Sequence, residues 1–184
     1  MYIFLRHGQS VANAEGWLSG WEDVALTAAG EEEARIAGQE LENHPIARVL
    51  VSDLRRAQRT AELALGGRRV PVHVLPELRE RRMGVFMGES IARLREDGRF
   101  ATFLAPWDAR PPGGESHAEA LRRVVAALKF WQAPGTTLVV GHGGWMRDLL
   151  ARLEGVPPEE IGLRPPAKNA HPVWCQIRQW PGSP

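Results

Sequence analysis

Cysteine is almost missing from these 184 residues: Cys175 stands alone. No internal disulfide can form, and a dithiol redox function is excluded. In the strand-like stretch Val173-Trp174-Cys175-Gln176-Ile177 this thiol is expected to be buried and inert rather than nucleophilic. Lysine is nearly as scarce, since every one of the 23 basic residues except Lys129 and Lys168 is arginine. With 22 acidic residues the formal net charge is only +1, so nothing draws the chain as a whole to nucleic acid. No apolar run approaches the roughly 18 residues of a membrane span, and neither end pairs a charged segment with an apolar stretch. A cytoplasmic protein with no membrane or nucleic-acid partner is expected. The Gly-x-x-x-x-Gly-Lys phosphate loop and the Gly-x-Ser-x-Gly nucleophile elbow are also absent. Loop-type nucleotide hydrolysis and serine hydrolysis therefore lack support.

What is present is an alternation of two patterns. β-Branched and aromatic runs at Met1 to Leu5, Arg48 to Val51, Val70 to Leu75, Thr136 to Val140 and Val173 to Arg178 predict strands. Helices are predicted between them. Thr27 precedes Ala28 to Glu42, with Glu31, Glu32 and Glu33 where negative charge suits the helix dipole. Ser116 and Glu119 have capping-box spacing ahead of Leu121 to Trp131. Asp53 to Leu65, Glu89 to Phe103 and Gly144 to Leu153 complete the set. Such alternation predicts a three-layer α/β/α sandwich around a mainly parallel sheet. No linker divides the chain, so one domain over residues 1–184 is expected.

Parallel sheets bind ligands beyond the carboxyl ends of their strands. Several chemically capable residues fall at that edge. Arg6 and His7 end the first strand, Arg56 opens the helix after the second, Glu80 follows the third, and His142 ends the fourth. Two imidazoles, two guanidiniums and a carboxyl group suit phosphoryl transfer, which needs a nucleophile, positive charge around the phosphate oxygens and a proton for the leaving alkoxide. Spacing alone leaves open which histidine attacks. Arginines beside an imidazole favour its neutral, nucleophilic form through like-charge repulsion. A salt-bridge cluster with Arg79, Arg81 and Arg82 is the alternative for Glu80, and a divalent metal on His7, His142 and Glu80 is an alternative for the whole set. The flanking arginines repel a cation and attract an anion, so no metal is expected.

Longer motifs carry a resemblance. Leu5-Arg6-His7-Gly8-Gln9-Ser10 with Asn13, Gly20-Trp21-Glu22-Asp23-Val24-Ala25-Leu26-Thr27 with Gly30, Ser52-Asp53-Leu54-Arg55-Arg56-Ala57 with Thr60-Ala61, Glu80-Arg81-Arg82-Met83-Gly84 and Gly141-His142-Gly143 together resemble the histidine phosphatase superfamily, in its phosphoglycerate mutase-like branch. The likeness spans nearly the whole chain. It implies the phosphoglycerate mutase-like fold and a metal-free mechanism through a phosphohistidine on His7. Glu80 is implied as the acid and base, with Arg6, Arg56 and His142 as the phosphate clamp. The resemblance selects Arg56 over Arg55, because the phosphate ligand directly precedes alanine. It also implies that Ser10, Asn13, Ser19, Gly20, Arg81 and the Gly143 amide line the phosphate or substrate pocket.

Within that family the sequence leans to a phosphatase acting on small-molecule phosphomonoesters, without a cofactor. The runner-up is a phosphoglycerate mutase, which would use 2,3-bisphosphoglycerate. Mutases commonly follow the acid with arginine, as Glu80-Arg81 does. They also carry a basic residue soon afterwards and an arginine pair on an insertion. Here Gly88-Glu89-Ser90-Ile91-Ala92 and Phe103 to Pro112 offer neither, and Gly144 replaces the mutases' usual asparagine. A non-catalytic phospho-ligand-binding protein is a third reading, opposed by retention of His7 and Glu80. Asn13 to Asp23 and Arg82 to Trp107 are expected to cover the site, with Trp17, Leu18, Trp21, Met83, Phe86, Met87 and Phe103 as an apolar wall. His44, His73, His117 and His171 are expected to be non-catalytic. Trp174, Trp180 and the Pro-rich Val156 to Pro166 leave a homodimer open.

Overall fold

The fifth position of the first strand and the fifth of the fourth, Arg6 and Gly141, lie side by side in the sheet, and this register builds the site. The computed structural model describes residues 1–181, so the last three residues of the expected domain 1–184 lie outside the described residues. Five strands form one sheet in the order β3-β2-β4-β1-β5: β1 (Tyr2–Arg6), β2 (Arg48–Val51), β3 (Val72–Val74), β4 (Thr137–Gly141) and β5 (Pro172–Cys175). All pairings are parallel except that of β1 with β5. The mainly parallel sheet predicted from the sequence is thus present, with one antiparallel edge.

Side-chain alternation along the strands divides the core into two layers. Tyr2, Phe4, Leu50 and Val139 face α5 (His117–Phe130) and α6 (Gly143–Leu153), packing on Leu121, Val124, Leu128, Trp145 and Leu149. Ile3, Leu5, Val49, Val51, Leu138 and Val140 face α2 (Ala28–Glu40) and α3 (Arg55–Leu65). That second interface is built on Ala37, Ala57, Ala61 and Ala64, small side chains that let the helices approach the sheet and each other closely. The centre strand β4 is buried throughout, which explains its continuous apolar run.

Several boundaries differ from the sequence reading. The helix expected over Glu89 to Phe103 breaks into α4 (Ile91–Glu96) and a single π-helical turn (Phe100–Leu104). Between them Gly98 has φ 79°, a left-handed conformation that ends a helix. A short α1 (Val11–Glu15) follows the first strand, and α7 (Pro158–Ile161) lies in the Pro-rich stretch. Glu31 is the acidic residue in the first turn of α2, whereas Glu33 reaches back to accept from the Gln9 amide at 2.8 Å. Cys175 is half-buried rather than buried, and desolvation raises its thiol pKa. No described helix is long and apolar enough to cross a membrane.

Candidate active site

Backbone pairing continues past the strand ends and gathers the first residues of the site. The His7 amide donates to Gly141 O at 2.9 Å, and the Ser52 amide to Val140 O at 3.0 Å. The turns after β1, β2 and β4 therefore meet at one point. His7 and His142 face each other edge-on with ring centroids 5.2 Å apart. Nδ1 of His7 lies 2.7 Å from its neighbour's carbonyl, Gly8 O, which can only accept; that ring nitrogen carries the proton and Nε2 keeps its lone pair. His142 instead has Nε2 2.9 Å from Ser52 Oγ, while its Nδ1 has no partner among the described residues.

Burial pushes the pKa of the His7 imidazole well below its ordinary 6.5, and the cations Arg56 and Arg6 push it further in the same direction. The sequence reading named only the cations; desolvation is the larger cause. His142 is depressed in the same way, first by burial and then by Arg56. Both rings are neutral at physiological pH.

Arg56 is 1 % exposed, whereas its neighbour Arg55 is on the surface. The Arg56 guanidinium spans two loop carbonyls, Gly20 O and Glu22 O, each at 2.8 Å. Arg6 donates to Ala167 O at 2.7 Å. Burial lowers Arg56 to about 10, which leaves it a cation at neutral pH. Neither arginine makes a salt bridge among the described residues, and Nε of both is buried without a partner. Buried polar atoms of that kind are rare in folded chains. Of the five found among the described residues, Arg6 Nε, Arg56 Nε, Arg81 Nη1 and His142 Nδ1 belong to this site. Desolvated cations with spare donors beside two neutral imidazoles form a cradle for an anion.

Glu80 takes no part in the salt-bridge cluster that its neighbours suggested. Arg79 pairs with Asp53, and Arg82 lies over the Trp21 ring. The Glu80 carboxylate instead accepts from the backbone of Arg81 at 2.9 Å, from Gly144 at 2.9 Å and more loosely from Trp145 at 3.4 Å. It sits on the amino end of α6, where unpaired amides and the helix dipole favour an oxygen acceptor. Gly144 makes that seat available, because a Cβ there would lie only 2.7 Å from Glu80 Oε1. The Trp21 indole fixes the backbone of the same residue, donating to Glu80 O at 2.7 Å.

A cavity of about 210 Å³ joins these groups, with Arg6, His7, Asn13, Ser19, Gly20, Arg56, Glu80 and Arg81 on its wall. Two expected pocket residues are placed elsewhere. Ser10 is fully buried as the cap of α1, its hydroxyl accepting from the Asn13 amide at 3.3 Å. Gly143 is buried beside Arg6 and Pro166, where an added Cβ would lie 2.8 Å from Arg6 Nε, and is not among the residues that line the cavity. His142, edge-on to His7 and fully buried, is not among the residues that line the cavity. Of the expected apolar wall, Trp17, Leu18 and Met83 are present, joined by Ile91 and Phe100. Phe86 and Phe103 do not line the cavity but pack with Met83, Leu94 and Leu104 in a small cluster, and Met87 is exposed. A larger cavity of about 650 Å³ beside α5 and α7 holds none of the histidine pair or its arginines.

Sequence reasoning missed Ser52 as the partner of His142, although it stood in a quoted motif. It also missed Asn169, whose amide donates to His7 O at 2.7 Å and carried no local signal. Groups of three or more metal-ligating side chains are absent among the described residues.

Comparison with known proteins places the chain among relatives of one family. The adenosylcobalamin/alpha-ribazole phosphatase of Escherichia coli K12 is 36% identical over 167 residues, covering 85% of this chain and 80% of that protein. A probable phosphoglycerate mutase GpmB of Yersinia enterocolitica is 36% identical over 165 residues, covering 86% and 77%. Among solved structures, Bacillus stearothermophilus YhfR superposes with a TM-score of 0.82 at 27% identity, covering 93% of this chain and 88% of that one. The relatives are enzymes, some phosphatases and some mutases by name. Residues 2–179 match the histidine phosphatase superfamily (branch 1), and the chain belongs to that family.

Proposed function

We propose that the protein is a phosphatase that hydrolyses small-molecule phosphomonoesters through a phosphohistidine on His7. The observation that carries this reading is the His7 tautomer. With its proton committed to Gly8 O, Nε2 offers a lone pair at the cavity wall among spare cationic donors. Arg6 and Arg56 hold the phosphate oxygens. His142 donates from Nδ1, its Nε2 accepting from the Ser52 hydroxyl. Attack by Nε2 on phosphorus forms the N–P bond as the P–O bond to the alcohol breaks. Glu80, protonated in the substrate complex, gives its proton to the departing oxygen. The carboxylate then takes a proton from water, which displaces His7 and releases phosphate. No cofactor or metal is required by these steps, and a cytoplasmic setting suits the reading.

A mutase is the second reading, favoured by the Glu80-Arg81 pair and by mutase names among the relatives. It requires 2,3-bisphosphoglycerate to prime His7 and a firm grip on a doubly phosphorylated intermediate. Phe103 to Pro112 lacks the arginine pair that mutases carry there, although Arg95, Arg147 and Arg164 also stand on the cavity wall.

The test is a panel of phosphomonoesters including 3-phosphoglycerate, with and without 2,3-bisphosphoglycerate, read for free phosphate and for isomerised product. Phosphate release independent of the bisphosphate is expected. Efficient isomerisation overturns the choice. Glu80→Gln is expected to slow release about 10²- to 10⁴-fold for alkyl phosphates and far less for aryl phosphates, whose leaving groups need no proton.

A further inference from the structure

The sequence marks His117 as non-catalytic, and its contacts in the fold tie it to the site without making it a reacting group. It opens α5, is only 2 % exposed, and lines the same cavity as His7 and Glu80. Its Nε2 lies 2.7 Å from Leu104 O and its Nδ1 2.8 Å from Asp148 Oδ2. Arg147, also on α6, approaches Nδ1 at 3.0 Å and binds the other Asp148 oxygen at 2.6 Å. Trp107 stacks parallel to the ring with centroids 6.1 Å apart. The imidazole is thus fixed on three sides, and its fourth contact is with the lid.

Leu104 is the last residue of the π-helical turn that places Phe100 and Leu104 itself on the cavity wall. Carbonyls at a helix end have no partner within the helix and must find one elsewhere. Leu104 O finds two: His117 Nε2, and Arg81 Nη2 at 3.0 Å. Arg81 is itself 4 % exposed and adjoins Glu80, whose Oε1 accepts from the Arg81 amide at 2.9 Å. Its second terminal nitrogen, Nη1, is buried without a partner, and Arg81 is one of the residues that line the cavity. A guanidinium with one nitrogen tied and one free is oriented by whatever fixes the tie. Leu104 O is that tie, and His117 is the other group that fixes Leu104 O.

We propose that His117 is a positioning residue for turnover: through the Leu104 carbonyl it holds the π-helical lid turn and aims the Arg81 guanidinium into the substrate cavity. His117 touches no reacting atom in this scheme. Asp148 and Arg147 hold the ring from behind, and Trp107 keeps its plane. The catalytic half of the proposal rests on the phosphatase reading; the structural half, the hold on the lid, does not.

Two variants separate a positioning role from a packing one. His117→Phe keeps a ring against Trp107 and loses the bond to Leu104, whereas His117→Gln retains a donor for that carbonyl. With His117→Phe, kcat/KM for a generic aryl phosphate is expected to fall about tenfold, carried mostly by KM, since small misplacement of a binding group is costly. His117→Gln should restore most of the loss. In an Arg81→Met background, His117→Phe should cost little more, because the group it aims is gone. Hydrogen exchange of the Phe100 to Ala105 amides should quicken in His117→Phe, and His117→Met takes its place if the phenylalanine variant does not fold. Unchanged kcat/KM in a folded variant, or a full additional loss in the Arg81→Met background, overturns the positioning role. Unchanged lid exchange overturns the hold on Leu104. A wild-type protein that releases no phosphate overturns the phosphatase reading and the catalytic half together, and lid exchange then decides the structural half.

Discussion

The turns after β1 and β4 present the same dipeptide, His-Gly, at the same edge of the same sheet, one strand apart. Both imidazoles are desolvated, both are depressed below 6.5, and neither pairs with a carboxylate. They differ in which nitrogen the surroundings occupy. His7 spends Nδ1 on its own chain neighbour, Gly8, and keeps Nε2 at the cavity wall. His142 spends Nε2 on Ser52, a residue of the adjacent turn, and is fully buried. The first arrangement suits a nucleophile whose tautomer depends on nothing else in the fold. The second suits a donor placed by another side chain. A short motif therefore does not carry a role; the hydrogen bond on its unused nitrogen does.

The sharpest way to break this contrast is to remove each ring in turn. On the proposed mechanism His7→Ala abolishes phosphate release, a loss of about 10⁴-fold or more in kcat, and abolishes any alkali-stable, acid-labile phosphoryl label trapped on the protein. If His142→Asn loses the label instead and His7→Ala keeps it, the roles are reversed. Otherwise His142→Asn is expected to cost about 10²- to 10³-fold in kcat, the scale of a lost donor to developing negative charge. Label formation survives but slows.

What the two rings share predicts a pH response. Each has a folded-state pKa below its unfolded value of 6.5, so the unfolded chain binds protons that the folded chain refuses. Stability is complete above that value and is lost as pH falls below it, by about 1.4 kcal/mol per pH unit for each histidine. Melting temperature followed from pH 7 downward should fall, and His142→Asn should make the decline shallower. An unchanged slope in that variant sinks the claim that His142 is buried neutral. The smallest effect belongs to Ser52→Ala, which removes the partner of His142 Nε2. A loss of about 1 kcal/mol in stability is expected, with a several-fold fall in kcat and none in the His7 label. A loss as large as that of His142→Asn would mean that Ser52 does more than place the ring.

Much of this was legible in the sequence because it is written at strand ends. A continuous apolar run followed by a polar residue fixes both the strand and the edge at which that residue emerges, and His7, His142 and the helix carrying Arg56 follow directly. The Ser116–Glu119 capping box and the Thr27 cap were legible for the same reason: they are local. What escaped was either too short or too distant. The five residues of α1 complete barely more than one turn, so no periodicity marks them. Gly98 looked like one residue inside a helical pattern until its positive φ divided the lid. Asn169 meets His7 across 162 positions, and His117 meets Asp148 across 31, separations at which a single sequence holds no signal of contact. Glu80 was legible as a residue but not in its setting, since its partners are backbone amides of a helix more than 60 residues further on.

The bare backbone at Gly144 has a consequence for anyone who would redesign this enzyme. Positions 80 and 144 draw on one volume, and the carboxylate already occupies the space into which a side chain would grow. Introducing the asparagine usual in mutases at 144 would therefore not simply add a contact; it would oblige the Glu80 carboxylate, the far end of a flexible side chain, to shift on its seat. The two positions are coupled through that shared volume, so a side chain added at 144 is felt first at the acid.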